Sequence, residues 1–347
     1  MLWSFLFTIN EKYCRIHLYS DKVDSVRSFG GTVMLQIIMT CINVLVVFIL
    51  LLLPGFFSAK KKYIVPSQVD GFSFFTTNFL WPAMIIDVMS KVEFSKEMLE
   101  VTFYTAEVSF VYYIVIGTIA FIYWKIRKSE KALHGILTFA VTISNTGFIG
   151  IPLISIALGE EAVFIAAIAE VVNDLIVFTV GLMLLQSGKS EKKGVDFGAM
   201  LSPGFLSVIV GLLIFAFQIQ LPDFLAQTLG YMSNAVTPVA MFLLGAQLAE
   251  IDFKEVLKNK KILEVMGLRL LVVPAIVTIV LLCFFPDRTL ANQVIIMMAA
   301  MPTSACLAIF SRTYQLDYKF ATTCTLSTTL GLLATLPIWL VVMNVMF

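Results

Sequence analysis

Ten long apolar runs, separated by short charged stretches, follow one another through this chain: 33–53, 71–90, 101–124, 132–158, 160–186, 203–220, 223–249, 262–285, 289–313 and 317–346. A helix crosses the hydrocarbon of a bilayer with about 20 mostly apolar residues. The pattern therefore predicts an all-α, polytopic membrane protein with ten transmembrane helices, spans 1 to 10. Composition agrees. Hydrophobic residues make up 59% of the 347 residues and charged ones 14%, against roughly 45–50% and about 25% in soluble domains. Mean hydropathy is +0.93. The short connections leave no room for a globular appendage.

Charge adds orientation. The loops after spans 1, 3, 5, 7 and 9 hold sixteen Lys and Arg, among them Lys60 to Lys62, Lys125 to Lys131 and Lys254 to Lys261, while the loops after the even spans hold three: Lys91, Lys96 and Arg288. Positive loops stay cytoplasmic, so both termini are expected outside a cell (cytoplasmic) membrane. Residues 1–32 disagree, carrying Lys12, Arg15, Lys22 and Arg27 on the side that should be poor in them. They lack the basic region that opens a signal peptide and read as a disordered or misassigned N-terminal extension, with Met34 as the alternative start. The net charge of +1 argues against nucleic acid as a partner.

The two halves echo each other. NFLWP (78–82) in span 2 answers NAVTP (234–238) in span 7, KEML (96–99) answers KEVL (254–257), and at a similar offset Asn145 falls on Pro302. A repeat of five crossings must insert its second copy upside down, the inverted-repeat design of secondary transporters. The expected organisation is a first repeat over 33–186, a cytoplasmic linker over 187–202 and a second, inverted repeat over 203–347.

Span 4 contains TISNTGFIGIPLISIALG (142–159), with Asn145, Thr146, Gly147, Gly150 and Pro152 inside an apolar run; span 9 contains Pro302, Thr303 and Ser304. Broken backbone in the hydrocarbon survives only where protein or a wet cavity surrounds it. Two breaks at matching positions predict crossed, broken helices 4 and 9. Each second half then presents free N–H groups and the positive end of its dipole. Asn145, Thr146, Gly147, Pro152, Pro302, Thr303 and Ser304 are accordingly the candidate substrate-binding residues. They could hold a carboxylate with no basic side chain, and none is expected at that depth.

Span 5 carries Glu170, Asn173 and Asp174; the two acids, four residues apart, share a helix face. Acids inside a membrane are costly and mark ion or proton pathways. They are candidate ion-coupling residues for H+ or Na+; a polar packing contact is the alternative. Asp87, in span 2, and Glu107, in span 3, lie nearer the interfaces. Arg269, in span 8, is expected to snorkel to the cytoplasmic end, or else to pair with Glu107 or a substrate anion. The hydroxyls of TTCTLSTT (322–329) either line the cavity or bond back to their own helix. Five dispersed cysteines and two isolated histidines form no metal motif, and the nucleotide-binding and hydrolase motifs are missing. No metal, no cofactor and no enzyme activity are expected.

SNTGFIGIPL followed by Gly159 and Glu160, MPTSA (301–305) and STTLGLLATLPIW (327–339) resemble the auxin efflux carrier family over about residues 34–347. The resemblance implies the ten-helix fold shared with the bile-acid sodium symporters. Spans 1, 2, 6 and 7 would form a scaffold that makes a homodimer, spans 3–5 and 8–10 a moving transport domain, with the family's crossover asparagine and proline at Asn145 and Pro302. Two departures, Ser144 where plant members have proline and the short 187–202 loop, favour a microbial organic-acid permease over an auxin carrier. The expected function is secondary active transport of small organic anions by alternating access; a passive anion channel or pore is the alternative.

Overall fold

The computed structural model describes residues 32–186, 203–249, 256, 258–286 and 290–346. The expected extension over 1–32, except Thr32, and the linker over 187–202 lie outside the described residues. So do several of the counted basic residues, Lys189, Lys254 and Arg288 among them.

All described regular structure is helical: α1 (Thr32–Lys60), α2 (Pro66–Lys91), α3 (Lys96–Ile126), α4 (Lys131–Thr142), α5 (Thr146–Leu158), α6 (Glu160–Gln186), α7 (Pro203–Phe217), α8 (Asp223–Leu248), α9 (Lys260–Phe284), α10 (Leu290–Ala300), α11 (Cys306–Thr313) and α12 (Tyr318–Met346). Among the described residues, seven helices are long and apolar enough to cross a bilayer, and α4, α5, α7 and α10 are shorter apolar helices. This is the build of a polytopic membrane protein.

Two helices start earlier than hydropathy suggests. α2 begins at Pro66 rather than near 71, because proline suits a first turn whose N–H would be unpaired anyway. α3 begins at Lys96 rather than near 101: the Ser95 hydroxyl accepts from Met98 N at 3.0 Å and caps a polar first turn. Apolar content marks the lipid-facing stretch, whereas capping marks the helix. Between α5 and α6 the chain reverses at Gly159, whose φ of +85° is open to glycine at little cost.

Among the described residues, four helices contain one turn of wider π geometry, at Thr76–Leu80, Thr146–Gly150, Val177–Gly181 and Leu268–Val272. Three of these turns run into a proline two residues later: Pro82, Pro152 and Pro274. Proline clashes with the carbonyl four residues back and has no N–H to give it. The wider turn moves the preceding N–H onto the carbonyl five back, as in Trp81 to Thr76, Ile151 to Thr146 and Val273 to Leu268. The helix continues without a break.

Packing sorts the helices into two neighbourhoods. α1 lies along α8, and α2 packs on α7 and α8; α3 packs on α4 and α6, and α6, α9 and α12 all pack on α10. The α1–α8 contact is close because Gly55 faces the Phe242 carbonyl and Gly245 faces the Leu52 carbonyl, leaving no room for a Cβ on either. At one end of the bundle, Arg127 Nε donates to Glu264 Oε1 at 3.1 Å and Lys261 Nζ to Glu130 Oε1 at 3.0 Å. The C-terminal end of α3 and the first turns of α9 therefore share an end. At the other end, Gln218 Nε2 donates to the Val92 carbonyl at 3.3 Å and Asn292 Nδ2 to that of Phe285 at 3.0 Å. The two exposed ion pairs place the loops but each adds at most about 1 kcal/mol.

Candidate functional site

α4 ends at Thr142 and α10 at Ala300. Each is followed by a few extended residues, and there the two chains meet. Ser144 and Thr303 pair antiparallel: Asn145 N donates to the Pro302 carbonyl at 2.8 Å, and Ser304 N to the Ile143 carbonyl at 3.1 Å. The expected meeting of breaks 4 and 9 thus takes the form of a two-residue ladder inside the bundle, where each strand satisfies the other's backbone. Pro302 fits because it contributes only its carbonyl.

The carbonyl side of this crossing is fully bonded. Every carbonyl from Phe139 to Ser144 accepts a hydrogen bond: from Ile143 N, from the Thr303 hydroxyl (2.7 Å to Ala140 O), from Arg269, from Arg269 again, from Ser304 N and from Asn173 Nδ2 (3.4 Å). Arg269 is the centre of that side. It is 0% exposed, donates from Nε to the Met301 carbonyl at 2.8 Å, from Nη1 to Val141 at 3.0 Å and Thr142 at 3.4 Å, and from Nη2 to Ala299 at 3.0 Å and to Ser144 Oγ. One guanidinium therefore sits on the C-terminal, electronegative ends of α4 and α10 together, where a cation is favoured.

This overturns two expectations. Arg269 does not snorkel or pair with Glu107, which is exposed on α3, and the crossing does contain a basic group. Nine residues separate Arg269 from Lys260, about 13 Å of helix at 1.5 Å per residue. That is too deep for the side chain to return its charge to water, so the fold surrounds it with carbonyls. The Leu268–Val272 turn that carries Arg269 is held by Trp339, whose Nε1 donates to the Leu270 carbonyl at 2.7 Å.

The amide side is different. α5 begins at Thr146, and the Glu170 carboxyl from α6 lies beside its first turn, with the Gly147 N–H, Thr146 and Asn173 around it. A Cβ on Gly147 would stand 2.9 Å from Glu170 Oε1 and 2.8 Å from Trp81 Cη2, so this position has to be glycine for the acid and the indole to approach the tip. Glu170 is only 4% exposed. Yet among the described residues Glu170 Oε2, Thr146 Oγ1 and Asn173 Oδ1 have no hydrogen-bond partner, and neither does the buried Trp81 Nε1. Buried polar atoms are nearly always paired; of the twelve unpaired side-chain atoms among the described residues, four gather here, and that concentration marks a functional region.

The candidate residues fall into place as follows. Asn145, Thr146 and Gly147 converge with Glu170 and Asn173 at the tip of α5. Asn145 is 8% exposed, and its carboxamide bonds to no other described residue. Asp174 is half-buried one turn further along α6, close enough to Glu170 and to Cys306 for charge to act between them. Pro152 is buried in the wall of α5, past the tip. Across the ladder, Thr303 and Ser304 serve the backbone: Thr303 N donates to Thr328 Oγ1 at 3.1 Å, and Ser304 Oγ accepts from Cys306 N at 3.3 Å. Thr323, Thr325, Thr328 and Thr329 bond back to α12, Thr325 and Thr328 also brace the crossing strand, and the buried Thr322 and Ser327 hydroxyls have no partner among the described residues. Asp87 pairs with Lys91 at 2.8 Å near the end of α2. Trp81 stands out in the sequence only as part of a repeat, and Arg269 meets carbonyls in place of the interface or Glu107 expected for it. The signal for Arg269 was available, since a buried cation must find acceptors.

A family model described as membrane transport protein matches residues 37–199 and 193–340. The chain is 28% identical over 230 residues to an uncharacterized transporter of Methanothermobacter thermautotrophicus, covering 65% of this chain and 74% of that one. It is 24% identical over 305 residues to an uncharacterized transporter of Methanocaldococcus jannaschii, covering 86% and 97%. A putative malonate transporter of Rhizobium meliloti is 25% identical over 230 residues, covering 64% and 71%. With its helical membrane build and a family match along nearly its whole length, the chain belongs to the auxin efflux carrier-like family of membrane transport proteins.

Proposed function

We propose that this protein is a secondary active transporter of small organic anions, carboxylates above all, that works by alternating access in the cell membrane, and that it is not an enzyme. The observation that carries the reading is the paired crossing of two interrupted helices, with the amide tip of α5 beside Glu170. Counting α4 with α5 and α10 with α11 as single broken crossings makes ten spans, in two inverted repeats of five. Both termini then lie outside. The α1, α2, α7 and α8 neighbourhood serves as the scaffold and dimer face, and the rest moves as a unit carrying the site. The putative malonate transporter among the relatives fits a carboxylate substrate.

The chemistry of the tip favours coupling. Free N–H groups and the helix dipole offer an anion up to about 2 kcal/mol where partly buried. A substrate carboxylate arriving there meets the Glu170 carboxyl, and two like charges at that spacing repel. A proton or a sodium ion on the Glu170, Asn173 and Asp174 group removes the conflict, so anion and cation load together.

Counterflow in proteoliposomes tests the reading. With a trapped excess of unlabelled malonate, malate or another small carboxylate, labelled substrate should accumulate transiently and saturably. Flux that rises linearly with concentration and shows no trans-stimulation would favour the channel alternative and reject the carrier.

A further inference from the structure

The amide side of the crossing has one more polar group, and it comes from the other helix neighbourhood. Trp81, on α2, wedges its indole between Gly147 of α5 and Gly204 of α7. Its Cζ2–Cη2 edge faces Gly147, with 2.9 and 2.8 Å to the position of a Cβ there, and its Cζ3–Cε3 edge faces Gly204, at 3.3 and 3.5 Å. In indole, the N–H lies on the same long edge as Cζ2. The Nε1–H is therefore on the side that meets the α5 tip and Glu170, not on the side buried against α7. It is out of contact with solvent and has no acceptor among the described residues.

We propose that the Trp81 indole N–H is a substrate-binding donor, contributed across the boundary between the two helix neighbourhoods to a carboxylate held at the tip of α5. This rests on the reading of the protein as an organic-anion carrier and deepens it. Three facts converge. An indole N–H is a donor only, so the partner it lacks is an acceptor. The Thr146 hydroxyl, 1% exposed and also unpaired, stands at the same tip and supplies a second donor. The first-turn N–H groups of α5 add the electropositive setting that an anion needs. A carboxylate has two oxygens and accepts from both donors at once; a neutral apolar ligand would leave both unsatisfied. Leaving a buried donor unpaired is costly, and a ligand recovers that cost on binding. Because Trp81 belongs to the α2, α7 and α8 neighbourhood while Thr146 and Glu170 belong to the other, the bound anion bridges the two.

Trp81→Phe deletes the N–H and keeps an aromatic ring at this position of α2. In proteoliposomes, with malonate as the probe, the variant should raise KM about tenfold or more, as expected for one hydrogen bond to a charged group. The maximal rate and the melting temperature should stay near those of the parent. A KM unchanged within twofold in a folded variant overturns the proposal and leaves the carrier reading standing. Parent protein that neither binds nor moves malonate, malate, succinate or acetate overturns both. Should the variant fail to fold, the 15N-indole spectrum of the parent decides: among its four tryptophans, malonate should shift one N–H resonance downfield, and four static resonances overturn the proposal.

Discussion

The two sides of one crossing are built to opposite rules. On the carbonyl side, six consecutive main-chain acceptors from Phe139 to Ser144 are all bonded, and Arg269 spends its donors on two helix ends and a serine. On the amide side, a few residues away, Trp81, Thr146, Glu170 and Asn173 each keep an unpaired buried atom. A protein interior normally satisfies its polar groups, and each failure has a cost. The contrast separates a frame from a site: the first side fixes where the broken helices meet, and the second keeps bonding capacity for something that is not part of the chain. Charge follows the same division, with a cation on the C-terminal ends and an acid at an N-terminal end, both in the orientation the helix dipole favours.

If that division is right, the largest effect belongs to Arg269. Arg269→Leu strips donors from the Val141, Ala299 and Met301 carbonyls, each costing about 1–3 kcal/mol when left unpaired in the interior. The expected result is loss of the monodisperse peak in detergent size-exclusion chromatography. Arg269→Lys, with three donors on one nitrogen, should recover part of the folded yield. A stable, fully active Arg269→Leu protein would remove the frame from the comparison.

Next comes Gly147→Ala. The added methyl lands on Trp81 and Glu170 Oε1, and overpacking of this kind costs about 1–3 kcal/mol. A lower melting temperature and a raised KM are expected together. Combining it with Trp81→Leu should restore part of the melting temperature, and additive losses in that double variant would show that the two residues do not press on each other.

Thr303→Val is smaller. It deletes the hydroxyl that donates to Ala140 and keeps the side-chain volume near constant, for a loss of about 1 kcal/mol. Transport kinetics at permissive temperature should be unaffected, because this hydroxyl belongs to the frame.

The smallest stability effect and the largest functional one are expected at Glu170→Gln. The change keeps the shape and removes the titratable charge, so the melting temperature should hold or rise slightly. Counterflow exchange should persist, while uptake driven by a proton or sodium gradient should disappear. Gradient-driven uptake equal to that of the parent would take Glu170 out of the coupling role and leave it as a packing residue.

Much of this was legible in the order of the residues. Apolar runs and their punctuation gave the helical build, and the matched irregularities at Asn145 and Pro302 pointed to two breaks that meet. Those features are local: lipid demands an apolar run, proline removes a donor, and glycine admits a tight approach. The starts of α2 and α3 were blurred for the same reason, since capping by Pro66 and Ser95 is decided by backbone geometry and hydropathy does not register it.

What the chain's order could not settle is which polar group faces which. Arg269 meets the Val141 carbonyl 128 residues away, and Thr303 meets that of Ala140 at a separation of 163. Trp81 reaches Gly147 from a different helix neighbourhood. A lone basic residue in an apolar run is compatible with a helix end, an ion pair or a carbonyl cage, and all three look alike in one dimension. Only the packed structure, by bringing the ends of α4 and α10 within reach of one guanidinium, made the cage the arrangement in which every donor is used. By the same packing, Trp81, Thr146, Glu170 and Asn173 were left with bonds still to make.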